Sequence, residues 1–387
     1  MAKPINTQIT LTRYLYIKED VKYSIMLSLL DKKDIQCLLF WVYELYYSGY
    51  EKEMFEYVRY LYFDFYALIN PKFYSFIDKQ YYLWLNNKDD TIIGYIFKNL
   101  FILPHSHTVF CMRQYMLNGG TCKTIYKGRK PTWLHKYKPV YHNILRSIHK
   151  KKYVDIYYYL CKLNNEDLIQ CLYEVGKYFE NEEAKKIPAD FYTTYEESYT
   201  NMTHKDMAHV WITTILHLME YEPVNEHKKI LYIKLTDGEL DSIKSVECDL
   251  CTPRYKTLQH KRLFGIHENI KYFHLMRNKF QLYDNYNFID ELQHHWLYYC
   301  YNTPRYRELL DKYENIVVNH EKRDIEFKDD DDFEDFYENY GYFEPDEQST
   351  ETIAKVFHYN NENNDINSFI NEPRLNIHFE IDAKIIY

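Results

Sequence analysis

Glycine is scarce, with nine among 387 residues. It is the residue that reaches positive φ without strain, so its scarcity excludes glycine-rich phosphate loops and argues against an all-β fold with many tight turns. The segment Gly119-Gly120-Thr121-Cys122-Lys123-Thr124 also lacks the first glycine, and the glycine before lysine, that a phosphate loop needs. No apolar run approaches the roughly 18 residues of a membrane-spanning helix. The opening MAKPINTQIT has no apolar core of a secretory leader, so neither secretion nor membrane insertion is expected. Eight cysteines (37, 111, 122, 161, 171, 248, 251 and 300) at irregular spacings read as reduced intracellular thiols and not as a disulfide framework. A nucleophile elbow, a kinase signature and a dinucleotide fingerprint are all missing. No cofactor and no catalytic residue is therefore expected.

Tyrosine is in excess, at 44 residues spread along the chain, a bias of the kind an AT-rich genome imposes and no mark of one motif. From Asp20 to about Leu103 the chain reads as consecutive helices with stop signals between them. Asp20 and Asp34 are placed to cap the first two, and Gly49 ends the second. A third is expected over 51–70, Pro71 opens a fourth, and Asp90 caps a fifth that stops before Pro104. In the second, Ile35, Leu38, Leu39, Val42, Leu45 and Tyr46 recur at helical spacing with further apolar residues between them, which predicts burial around most of its circumference. Helical patterns return at about 139–150, 153–163, 165–179, 203–220, 256–280 and 287–300. The segment 228–250 reads as two short strands around Asp237-Gly238, and the C-terminal NIHFEIDAKIIY alternates like another strand. Thr-Pro-Arg-Tyr occurs at 252–255 and at 303–306, each time where a helix should begin with Thr as cap and Pro in the first turn.

The fold class expected is mainly α, a stack of antiparallel helices with a small β element near 228–250 and the C-terminus. The expected division is a helical region over 1–117, a basic aromatic loop over 118–138, a second helical region over 139–227, a hairpin with helices over 228–320, an acidic aromatic segment over 321–350 and a strand-containing tail over 351–387.

Charge is the most informative feature. Between Thr91 and Val154 there is no Asp or Glu, while twelve Lys or Arg occur; with −9 for the whole chain, this leaves −21 for the remainder. Such polarity suggests an anionic partner. Within it, NGGTCKTIYKGRKPTWLHKYKP sets Lys123, Lys127, Arg129, Lys130, Lys136 and Lys138 among Tyr126, Trp133 and Tyr137, and Lys150, Lys151 and Lys152 follow. Cations release counterions from a phosphate backbone, and aromatic rings give bases a face on which to stack. Single-stranded RNA fits this combination better than duplex DNA. The alternative is a solvated loop whose cations pair with the acidic remainder of the fold.

The opposite pole, Asp324 to Glu347, carries twelve acidic residues and one Lys. Such a density of carboxylates resists compaction and suggests a solvated connection. The interleaved Phe333, Phe336, Tyr337, Tyr340 and Phe343 instead suggest a segment that docks on a basic, partly apolar groove of a partner or of its own chain.

The segments TRYLY, FWVYELYYSGY and YLYFDFYALINPK, with FYENYGYFEPDEQ near the end, resemble an uncharacterised protein family of nucleocytoplasmic large DNA viruses of the mimivirus kind. The paired helices more loosely resemble HEAT-type arrays, including the middle domain of the translation-initiation scaffold eIF4G. The resemblance implies a viral protein of the host cytoplasm and its viral factory. It would be a non-enzymatic scaffold that holds protein partners such as a helicase or initiation factors. A virion structural or genome-packaging protein is the rival implication, and an enzyme with an unrecognised site is the third. A cap-binding-protein peptide is approached only at Tyr158 to Leu163, where Asn164 follows in place of an apolar residue.

Cys248 and Cys251 form a C-x-x-C pair with His260 and His267 downstream, a spacing that fits no common zinc finger, so both thiols are read as packing groups. Replacing Cys248 and Cys251 together by Ser is expected to lower Tm only modestly. Stoichiometric zinc in protein purified from metal-free buffer, or collapse of the fold on chelation, would overturn this.

Overall fold

The computed structural model describes residues 12–13, 18–32, 34–117, 120–122, 126, 129–187, 204–220, 232–241, 295, 297–301, 303–314 and 316–339. The chain is mainly helical with one small two-stranded antiparallel sheet. It forms two compact units that interleave in sequence. One draws on described residues within Met1–Val58, Trp84–Ile102 and Tyr232–Ile377, the other on those within Arg59–Leu83 and Leu103–Leu231.

In the first unit α1 (Lys18–Asp31), α2 (Ile35–Tyr47) and α5 (Thr91–Ile102) pack together. Asp34 caps α2 through an oxygen that accepts from the Gln36 N–H at 2.8 Å. All residues of α2 from Leu38 to Tyr46 are buried, as its near-continuous apolar surface predicts. The helix closes on Gly49 at φ 89°, and a Cβ there would stand 2.5 Å from that of Pro304, so glycine is required twice over. Glu44 lies inside on α2. Its charge is met by Arg13 Nε at 3.0 Å, while the Arg13 N–H donates to Ser48 Oγ and the Arg13 carbonyl accepts from Tyr306. Helix α3 (Glu51–Leu61) lends Glu53 to both Lys18 and Lys22 of α1. At the end of α4 (Phe73–Asn87), Trp84 packs on Phe55 and donates to the Tyr46 hydroxyl at 2.8 Å.

At the start of helix α5 Asp89 accepts from both the N–H and the hydroxyl of Thr91, and the Asp90 carboxylate takes the Tyr47 hydroxyl at 2.7 Å. The hairpin expected around Asp237-Gly238 does not form. Residues 237–241 make a helical turn instead, because Thr236 and Glu239 satisfy each other's backbone N–H groups as a capping box. The sheet lies further on, where β1 (Val317–Asn319) pairs with β2 (Asp324–Glu326), Val318 opposite Ile325.

Before the sheet, α11 (Pro304–Leu310) starts with Thr303 as cap and Pro304 in the first turn, as expected; the earlier Thr-Pro-Arg-Tyr lies outside the described residues. After it, the acidic segment folds as α12 (Asp330–Asn339). Phe333, Phe336 and Tyr337 form a helical stripe, and the Asp run falls in the first turn, where the helix dipole favours negative charge. Phe336 is fully buried among Ile325, Leu309 and Tyr306. It is therefore a core residue and not the partner-docking residue expected. Phe333 remains 39% exposed and its ring lies tilted against that of Tyr337, while Tyr340 and Phe343 lie outside the described residues.

In the second unit the helix expected over 51–70 changes to a π-helical turn over Tyr62–Tyr66, all five residues of which are buried. Ahead of α6 (Thr108–Leu117), the Ser106 N–H donates to the Phe65 carbonyl. Helices α7 (His142–His149), α8 (Tyr153–Leu160), α9 (Asn165–Glu182) and α10 (His204–Leu218) follow. Helix α10 packs on α6, α8, α9 and the π turn, and its Trp211 donates to the Leu168 carbonyl at 2.6 Å. Asp64 of the π turn is wholly buried. Arg113 of α6 grips it through two nitrogens, and His209 Nε2 of α10 lies 2.9 Å from its Oδ1. Burial alone would raise this carboxyl, but the Arg113 and His209 charges outweigh it and hold the group down at about 2.

Replacing Asp64 by Asn would leave the Arg113 guanidinium inside without its counter-charge, a loss of about 3–5 kcal/mol in urea unfolding. Stability equal to the parent would show that the pair is dispensable. Because the folded carboxyl titrates below the unfolded value of about 3.9, the stabilisation it supplies is complete above that pH. It fades as pH falls towards about 2, and D64N should lack that part of the acid transition.

Candidate nucleic-acid interface

The basic block divides into structural and surface cations. Arg113 is consumed by Asp64, and Lys98 reaches Glu239 in the first unit. Lys123 and Lys127 lie outside the described residues. Arg129 and Lys130 are exposed ahead of a short 3-10 turn over Thr132–Lys136, which a second over Pro139–Tyr141 joins to α7.

The first 3-10 turn sets Trp133 against three rings, Tyr137 at 6.3 Å, His149 at 5.3 Å and Tyr178 at 5.4 Å between centroids. Tyr137 is only 5% exposed and points its hydroxyl at the Lys177 carbonyl, so it supports Trp133 and offers no free face to a base. Trp133 itself is half-buried. Lys136 pairs with Glu182 at 2.7 Å, and that hydrogen bond raises its pKa. Lys138 is exposed.

Helix α7 buries Ile144, Leu145, Ser147 and Ile148, leaves Arg146 half-buried and exposes His149 and the capping Lys150, which follow Arg146 at i+3 and i+4. The Arg146 guanidinium and the Lys150 ammonium stand over the Tyr126 ring at 4.4 and 5.1 Å, and the Tyr126 hydroxyl is fixed by Ser147 at 3.0 Å. Cation–π contact thus holds two charges on one ring. At the helix end the Lys151 N–H bonds the Ile148 carbonyl and the Lys152 N–H bonds the Ser147 carbonyl. This is a Schellman closure with Lys151 at φ 53° in the position glycine usually fills. The negative end of the helix dipole favours this cluster of cations.

Arg129, Lys130, Lys138, Arg146, Lys150 and Lys151 form no ion pair among the described residues, whereas the alternative of a neutralised loop holds for Lys136. Tyr126 was named with the basic block and Arg146 was counted among its twelve cations, but neither Arg146 nor His149 was picked out as a site residue. Their helical spacing with Lys150 is the signal that could have found them.

The chemistry available is electrostatic attraction and stacking. Burial raises the thiols of Cys37, Cys111, Cys171 and Cys300, Cys111 to about 12, so these cysteines are held protonated and are poor nucleophiles. Among the described residues no group of three or more His, Cys, Asp or Glu is placed to hold a metal ion. Cys248, Cys251, His260 and His267 lie outside those residues. No described helix is long and apolar enough to cross a membrane. No family model, curated protein or solved structure matches the chain.

Proposed function

We propose that the protein is a non-enzymatic helical scaffold that binds single-stranded RNA along the outward face and C-terminal cap of α7. The observation that carries this reading is the row Arg146, Lys150 and Lys151, three cations that form no ion pair among the described residues, with Tyr126 and Trp133 beside α7. A solvated helix end needs no such pairing of charge with rings, and a phosphate backbone with splayed bases uses both. Lys151 sits in the left-handed conformation, as do Lys32, Lys88, Ala184, Glu220 and Arg323, at a cost of about 1–2 kcal/mol that glycine would avoid. In the setting implied by the viral resemblance, such a scaffold would serve gene expression in the host cytoplasm. A translation-initiation scaffold is the most specific form of this proposal.

The substitution Lys151→Gly separates charge from fold. It relieves the backbone, so thermal stability should hold or rise, by about 1 kcal/mol. A single phosphate contact should be lost, and the slope of log affinity against log salt for a labelled oligouridine should fall by about 0.7. Adding Arg146→Gln and Lys150→Gln should flatten the slope further. Absence of binding by the parent protein at low salt, or a slope unchanged in the triple variant, would refute the reading.

A further inference from the structure

Residues 232–236, which have no regular secondary structure, are bound to α5 through their main chain. Asn99, fully buried on α5, donates through Nδ2 to the Ile233 carbonyl at 3.0 Å and accepts the Ile233 N–H at Oδ1, also at 3.0 Å. Its second amide hydrogen goes to the Tyr95 carbonyl at 2.8 Å, which fixes the amide in this orientation. Thus one side chain clasps the main chain of one residue, whatever side chain that residue carries, and Ile233 itself is 41% exposed.

Two neighbours on the same helix supply selectivity. Gly94 opens a notch: a Cβ there would stand 2.8 Å from the Leu235 side chain and 2.5 Å from the Tyr43 hydroxyl. Leu235 fills it and is buried. A glycine inside a helix weakens that helix, so in a chain of nine glycines this position has a packing reason. Lys98 donates to the Lys234 carbonyl at 3.2 Å and grips both carboxylate oxygens of Glu239 at 2.5 and 2.8 Å.

Main-chain capture combined with a pocket for one side chain and a charge for another is the means by which proteins hold extended peptides. We infer that the Gly94, Lys98 and Asn99 face of α5 is a peptide-binding groove that residues 232–240 occupy as a resident ligand. Its partner is a segment of another protein with the same chemistry: a residue whose main-chain N–H and C=O are both free to pair, a leucine two positions on and a carboxylate four beyond that. Charge complementarity at Lys98 sets the direction of the peptide. This inference stands on the first unit alone and is independent of the RNA reading.

Charge reversal tests it. The substitution Lys98→Glu repels the resident Glu239 and should open the groove, so K98E is mixed with fluorescent peptides of sequence LYIKLTDGELD and LYIKLTDGKLD. The lysine peptide should bind K98E saturably and at least tenfold more tightly than the glutamate peptide. Adding Asn99→Ala to K98E should weaken that binding at least tenfold, with circular dichroism checking that the helices persist. In a second route, Leu235→Asp with Lys98 intact should reverse the preference in favour of the glutamate peptide. No saturable binding to either folded variant, or equal affinity for both peptides, would overturn the inference.

Discussion

The tyrosine hydroxyl is the constraint around which this fold is organised. A chain with 44 tyrosines cannot keep them all at the surface, and a buried hydroxyl without a partner costs about as much as a lost hydrogen bond. The solution recurs. Tyr43 donates to the Asp90 carbonyl, Tyr62 to those of Asn70 and Pro71, Tyr141 to that of Asp167, and Tyr306 to that of Arg13. In each case the hydroxyl reaches a main-chain oxygen outside its own helical segment, so a ring that fills core volume also ties two stretches of chain. Tyr66 departs from the pattern, fully buried with no hydrogen-bond partner for its hydroxyl among the described residues.

Buried charge adds specificity to these ties. Arg13 with Glu44 in the first unit, and Asp64 with Arg113 and His209 in the second, each join stretches distant in sequence. Desolvation offsets much of the attraction in such pairs, so their net gain in stability is small. Breaking one is costly, because a lone buried charge remains. Their effect is to penalise alternative packings of helices whose apolar surfaces are otherwise interchangeable.

This explains what could be read from the sequence. Local signals were legible: Asp34 and Gly49 at the ends of α2, and Thr303 with Pro304 at the start of α11, act within a few residues and need no tertiary partner. The π turn was not legible, since Tyr62–Tyr66 holds its place through Arg113 and His209 from elsewhere in the chain. At Asp237-Gly238 two local rules competed. The Thr-x-x-Glu capping box prevailed over the hairpin dipeptide because Glu239 is also gripped by Lys98. In α12 the charge count hid the stripe at 333, 336 and 337, and with it the burial of Phe336. At the candidate interface the cations themselves were readable, but their sorting was not. Arg146 and Lys150 meet on Tyr126, while Lys136 is spent on Glu182.

The two proposed surfaces would respond to different conditions, because different forces would hold their ligands. Cations on the exposed face of α7 act through solvent, and salt screens them within about 8–10 Å at ordinary ionic strength. The Asn99 clasp is a pair of amide hydrogen bonds made by a fully buried side chain, with Leu235 excluded from water beside it. Neither depends on a net charge, and apolar burial is insensitive to modest salt. Only the Lys98 to Glu239 contact would weaken, and partial burial of both side chains shields it. On the two proposals above, raising ionic strength would therefore weaken nucleic-acid binding at α7 and leave peptide binding at α5 largely intact.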